Sequence, residues 1–417
     1  MVQSCLKAAE QANMPIDALR GTALFDEELD RRFSALPDFE KARDALRADH
    51  VFVDRFGEVE AERIALQFLY NYASRAESTA FEERSFDQVW NDFATTLDDP
   101  NWHHMGVANV LAFGEVDMGP LEFGSEVRII GRARSDLAEL GMALATIDAL
   151  YDRWTEEHPA SSYVLVARSE VPKTPDTVVM GDLSPSVKAW RCILALRLAG
   201  IGGIGLGRMW IQQVDPFCTI GGRTGIDVAQ GAHPAVLGEL TPDRSDLAID
   251  LFHRLGRLEE TRYANSPGNL ELALRAFTGV FNRRPAQSDS QIVDATTSLE
   301  ALIGATPEST FRVASRVANI LGGDDGERVE LFRTVKLYYA IRSKSVHGTP
   351  LQTKEHRLLD DHQRFIHVVR RLLVAWIKLA DNEQPFFANK KEFDALDELL
   401  LNSEKRTCLQ RSMGLVV

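Results

Sequence analysis

The sequence predicts an α+β fold: a mixed α/β N-terminal domain over residues 1–240, followed by an all-helical domain over residues 241–417. Three observations lead there. Between about residue 105 and residue 214, short runs rich in β-branched residues alternate with glycines and amphipathic stretches. Beyond 241 the strand signal disappears, and apolar residues recur at helical spacing between Pro and Gly breakers. The charge also changes sign. Residues 1–100 hold 11 basic and 21 acidic residues, whereas residues 305–380 hold 13 basic and 8 acidic.

In order along the chain, residues 1–100 read as acidic helices with apolar patches such as Ile64–Tyr70. Val107–Val116 and Glu126–Ile130 read as strands bounded by Gly114, Gly119 and Gly124. Arg134–Glu157 reads as an amphipathic helix, carried by Leu137, Leu140, Leu144, Ile147, Tyr151 and Trp154 and closed by Pro159. Ser162–Arg168 and Arg208–Val214 read as strands, with a helix at Ser184–Leu198 between them that opens on Pro185. Pro216–Leu240, rich in glycine and turn residues, reads as irregular. Helices then follow at 245–260, 270–283, 290–303, 309–321, 327–344, 354–380 and 391–402.

Composition excludes several classes of function. Hydrophobic residues make up 45% and charged residues 26%, ordinary values for a globular chain. No run approaches the ~18 apolar residues of a membrane span. The N-terminus carries no basic region followed by an apolar one, so a cytoplasmic location without membrane contact is expected. Cys5, Cys192, Cys218 and Cys408 have neither disulfide-framework nor zinc spacing. No cofactor or metal is expected. With 47 basic against 61 acidic residues and a net charge of −14, a sequence-unspecific nucleic-acid coat is excluded, because such binding needs excess Lys and Arg. A polyanion would bind late in the chain, where the local balance is positive.

Few motifs carry chemistry. Leu198–Gly207 contains a literal GxGxxG, but a helix precedes it and a strand follows, the reverse of a dinucleotide cradle. His103-His104 lacks further ligands at metal spacing. The spacing Arg-x4-His occurs three times, at Arg153/His158, Arg342/His347 and Arg357/His362. Recurrence makes the spacing itself uninformative, so context decides. Two acids intervene in the first and third cases, and would repel a phosphodiester. In Arg342-Ser-Lys-Ser-Val-His347 the intervening charge is basic, and Gly348 and Pro350 stop the helix just beyond. Five residues advance an α-helix by about 500°, so the pair converges only if this last turn frays or tightens. Arginine beside imidazole suits cleavage of an RNA phosphodiester: one group moves a proton while the other stabilises charge on the phosphoryl oxygens.

The run Leu337-Tyr-Tyr-Ala-Ile-Arg-Ser-Lys-Ser-Val-His-Gly348 resembles the motif of HEPN domains, particularly the ApeA-like HEPN group. Ser298-Leu-Glu-Ala-Leu-Ile303 and Phe311-Arg-Val-Ala-Ser-Arg-Val-Ala-Asn-Ile-Leu321 resemble the two preceding helices of that group, so the likeness covers roughly residues 245–380. The resemblance implies a helical bundle that dimerises, setting two Arg-x4-6-His motifs across one cleft. It further implies a metal-independent endoribonuclease of prokaryotic antiviral defence or of a toxin system, with RNA as substrate and a regulatory or antitoxin partner. Carried over residue by residue, Arg342 and His347 are the catalytic pair. Ser343 is the polar residue after the arginine, Lys344 supplies phosphate affinity, and Glu300 positions the arginine. Tyr338, one turn earlier, is offered for base stacking. Two positions depart from the group: Ala340 replaces a frequent acid and Ser345 a frequent aliphatic residue. The resemblance leaves residues 1–240 a sensing or targeting role. Two other readings stand beside it, a non-catalytic HEPN protein for dimerisation or nucleotide sensing and an enzyme whose site lies in residues 105–240.

Overall fold

The computed structural model describes residues 1–11, 27–76, 80–112, 120–132, 163–174, 184–202, 204–215, 217, 224–226, 241–263, 266–282, 287–304, 309–382, 386–387 and 393–415. The expected helix over 134–157, with Arg153 and His158, lies outside them, as do Cys218 and most of 216–240. The fold is α+β. In chain order the helices α1 (Val2–Gln11), α2 (Glu27–Ser34), α3 (Pro37–Ala48), α4 (His50–Phe56), α5 (Ala61–Arg75) and α6 (Glu83–Asp98) precede strands β1 (Asn101–Ala112), β2 (Leu121–Phe123), β3 (Val127–Gly131) and β4 (Tyr163–Pro172). Helix α7 (Ser184–Leu198) leads to β5 (Ile204–Gln213) and β6 (Thr224–Ile226), the latter inside the stretch expected to be irregular. The strands form one sheet in the order β2-β3-β4-β1-β5-β6. Antiparallel pairing sets Glu122 opposite Arg128 and Trp210 opposite Gly225. Met105, Val107, Ala108 and Val110 along β1 are all buried, as a central strand covered on both faces requires.

The later described elements are helices: α8 (Pro242–Glu260), α9 (Leu270–Asn282), α10 (Ser288–Ile303), α11 (Ser309–Leu321), α12 (Asp325–Val346), α13 (Thr353–Asp360), α14 (Gln363–Ala380), α15 (Leu396–Leu401) and α16 (Ser403–Ser412). The single helix expected over 354–380 is two. Asp361 caps α13 and His362 opens α14. Helix α16 was not expected at all, because its mostly polar sequence offers little apolar periodicity.

The compact units do not follow one cut at residue 240. One comprises Met1–Val107, Ala167–Val187 and Met209–Ile226; the other comprises Ala108–Val166, Lys188–Arg208 and the chain from Asp227 onward. The reason is visible in the second unit, where α7 is anchored to the helices that follow. Arg191 donates to Glu259 at 2.6 Å, and the buried Arg197 guanidinium lies 4.6 Å from the Phe281 ring. Burial depresses the Arg197 pKa to about 9.

In the first unit the core gathers around α5. Phe52 stacks on Phe56, which meets Trp102 edge-on at 5.1 Å. Asn71 donates to the Phe217 carbonyl at 2.5 Å. Lys173 is fully buried there: its Nζ donates to the Thr96 and Asp99 carbonyls at 2.6 and 3.0 Å and lies 3.8 Å from Asp215. Its charge also sits 4.6 Å from the Trp102 ring.

In the second unit α9 and α10 form an antiparallel pair: Gln291 donates to the Val280 carbonyl and Ser298 to that of Ala273, so one index rises as the other falls. Their buried Phe277 and Leu299 share the core with Val335 of α12 and Leu372 and Trp376 of α14. Each such side chain contributes about 1.5–3 kcal/mol through burial. Arg316 of α11 donates to Asp397 at 2.7 and 3.0 Å and to the Ile303 carbonyl, tying three helices together.

Candidate functional site

Helix α12 starts on Asp324, whose carboxylate accepts from the Glu327 amide at 2.8 Å. It stays regular to Val346. The His347 amide donates to the Ser343 carbonyl at 3.1 Å, so the last turn is α-helical and not tightened. Gly348 then adopts φ +66°, the left-handed conformation that ends helices, and the Thr349 amide donates to the Lys344 carbonyl at 2.9 Å. His347 therefore stands exposed at the negative end of the helix dipole. Its ring has no hydrogen bond or ion pair among the described residues.

Arg342 is held from two sides. Its Nη2 lies 3.4 Å from Glu300 Oε2 on α10, and its guanidinium carbon lies 6.0 Å from the centroid of the Tyr339 ring. The Tyr339 hydroxyl donates to the other Glu300 oxygen, so one carboxylate joins the tyrosine and the arginine. Among the described residues Arg342 Nε is buried without a partner, as is the Ser345 hydroxyl. The expected positioning role of Glu300 thus has a geometry to act through. Glu300 does not pair with Arg316, which is engaged by Asp397.

Tyr339 is the residue that sequence reasoning missed. It lies three positions before Arg342, Tyr338 four, and both offsets share a helix face with the arginine. Both are buried, so choosing between them requires knowing what each ring and hydroxyl meets. Tyr338 turns inward: it is 2% exposed, its ring stacks on Phe365 at 4.8 Å, and its hydroxyl donates to the Asp361 and Leu358 carbonyls. Burial, reinforced by Asp361, pushes its pKa up to about 12. Expected to stack on a base, Tyr338 has both its ring and its hydroxyl engaged in packing within the chain.

Lys344, expected to supply phosphate affinity, donates to both oxygens of Glu355, at 2.7 and 2.8 Å. That bond, with the Gln352 amide, holds the Glu355 carboxyl below its ordinary pKa. Ser343 is exposed beside the pair.

The Arg357/His362 repeat of the spacing has a different environment. His362 is 5% exposed, and its Nδ1 lies 2.6 Å from the Leu359 carbonyl. Burial holds its pKa below the ordinary imidazole value. Among the described residues no group of His, Cys, Asp and Glu could hold a metal ion, and no helix is long and apolar enough to cross a membrane. No family model matches the chain, and no curated protein or solved structure matches it.

Proposed function

We propose that the chain is a metal-independent endoribonuclease acting as a homodimer, with Arg342 and His347 as its catalytic pair, in prokaryotic antiviral defence or a toxin system. The observation that carries this reading is the end of α12: an exposed histidine, without a side-chain partner among the described residues, five residues beyond an arginine braced by Glu300 and Tyr339. In the proposed reaction one imidazole takes the proton of the 2′-hydroxyl as its oxygen attacks phosphorus. The imidazolium of the second copy protonates the departing 5′-oxygen. Arg342 donates to the phosphoryl oxygens as negative charge builds on them. The products are a 2′,3′-cyclic phosphate and a 5′-hydroxyl, and atoms and protons balance without a cofactor.

The neutralised Lys344 favours one second reading, a non-catalytic HEPN protein, because it leaves fewer cations for RNA beside the pair. Incubating the purified chain with total RNA in EDTA separates the two. Cleavage that leaves cyclic-phosphate ends and is lost in both Arg342→Ala and His347→Ala supports the enzyme. Magnesium-dependent cleavage leaving 3′-hydroxyl ends, or none at all, refutes it.

A further inference from the structure

Seven of the thirteen cations in residues 305–380 are held in ion pairs. Arg312, Arg316, Arg328, Arg342, Lys344, Arg364 and Arg371 each have a carboxylate. Arg370 does not. It lies on a stripe of α14 with Val374 and Lys378, spaced four residues apart, and this stripe forms one wall of a cavity of about 330 Å³. Arg244 of α8 and Arg371 add further cations to the lining, and among the described residues Asp243 is its one carboxylate. Leu247, Val374 and Met413 make much of the rest apolar.

The cations are seated there at a cost. Arg370 Nη2 lies 2.8 Å from His367 Nδ1, and its pKa is depressed by burial and then by Arg244 and Arg371. The same three arginines also depress His367, after burial. The Arg370 guanidinium rests where a side chain at position 200 would stand: a Cβ on Gly200, which has φ +100°, would meet Arg370 Nη1 at 2.1 Å. Lys378 runs along Gly414 in the same way, 3.1 Å from where a Cβ would be. Glu327 occupies Arg371, so Arg370 and Lys378 line the cavity without a carboxylate partner among the described residues.

We propose that this cavity binds a small phosphomonoester with an apolar body, its phosphoryl group on Arg370 with Arg244 and Lys378 and its body over Leu247, Val374 and Met413. A doubly charged phosphoryl group answers the excess of cations, and the planar guanidinium fork suits its oxygens. The apolar wall calls for more than inorganic phosphate. The proposal is independent of the ribonuclease reading, and its test involves no RNA.

The test is calorimetric titration of the full chain with 1-naphthyl phosphate, glycerol 3-phosphate, inorganic phosphate and 1-naphthoate, alongside thermal melts. Naphthyl phosphate should bind tightest, with each of the others weaker by roughly tenfold or more. Arg370→Gln should weaken naphthyl phosphate by roughly tenfold while leaving the ligand-free melting temperature unchanged or raised, because it removes a cation from a repulsive cluster. Lys378→Met should weaken it less. Equal binding of all four probes, no binding, or an Arg370→Gln protein that binds as wild type overturns the proposal. So does a variant that melts lower without ligand, which would make Arg370 a structural residue.

Discussion

Substituting alanine for His347 and for His362 should give opposite results, although the two histidines share the same Arg-x4-His spacing. His347 is exposed and makes no side-chain bond among the described residues. Its removal should change stability by no more than about 0.5 kcal/mol. His362 is 5% exposed and bonded to the Leu359 carbonyl. Losing that bond costs about 1 kcal/mol, and the partly filled space left by the ring costs about as much again or more. The sum, about 2–3 kcal/mol, corresponds to a urea midpoint lower by about 1 M at a slope near 3 kcal/mol/M. RNA cleavage should follow the reverse order, abolished in His347→Ala and kept in His362→Ala under conditions where that variant is folded. The pH dependence adds a second readout. Burial lowers the folded-state pKa of His362 below the unfolded value of about 6.5, so its contribution is present above that pH and lost as pH falls through the folded pKa. Wild type should therefore lose more stability than His362→Ala between pH 7 and pH 5; the depressed His367, common to both proteins, cancels in the difference. A His347→Ala protein that cleaves like wild type, or a His362→Ala protein of wild-type stability, refutes the reasoning.

Tyr339→Phe removes the hydroxyl that donates to Glu300 and should lower kcat with little change in KM, at a stability cost of about 1 kcal/mol because Glu300 remains partly hydrated; equal loss in both kinetic constants would argue against positioning of Arg342. Lys344→Ala should change the salt dependence of RNA binding little, because Glu355 already neutralises the lysine, whereas Glu355→Gln should strengthen binding and steepen that dependence; filter binding across a salt series checks both. Lys173→Met leaves Asp215 buried without its cation and should cost about 3–5 kcal/mol by urea denaturation, and a stable variant would show the pair to be dispensable. Light scattering at micromolar concentration should give a dimer, and a monomer that nonetheless cleaves RNA would remove the two-copy site from the mechanism.

Much of the fold was legible because the signals were local. Helix α7 begins at Ser184 beside Pro185 and ends at Leu198 before Gly200, as its sequence punctuation requires. Helix α11 likewise matches its expected bounds. What was not legible depended on contacts distant in sequence. The break between α13 and α14 has no proline or glycine; Tyr338 accounts for it in part, its hydroxyl binding the carbonyls of Leu358 and Asp361 from another helix. The units could not be cut at 240 by composition, because Arg191 finds Glu259 some 68 positions later. The partner of Lys344 was hidden for the same reason, since Glu355 lies beyond the helix end, on α13.

The geometry of α12 bears directly on how many copies the proposed reaction needs. At about 100° per residue, positions 342 and 347 point about 140° apart around a regular helix. They would converge only if the last turn were deformed, yet the His347 amide makes an ordinary i to i−4 bond to Ser343. Arg342 is drawn toward Tyr339 and Glu300, while His347 stays exposed at the cap. A single copy thus presents one histidine and an arginine aimed elsewhere, whereas transesterification of RNA calls for both a proton acceptor and a proton donor. Two α12 ends set across a shared cleft supply two imidazoles and two guanidinium groups, without any change in the backbone of either helix. Dimerisation is therefore not an optional addition to the ribonuclease reading but a condition of its chemistry.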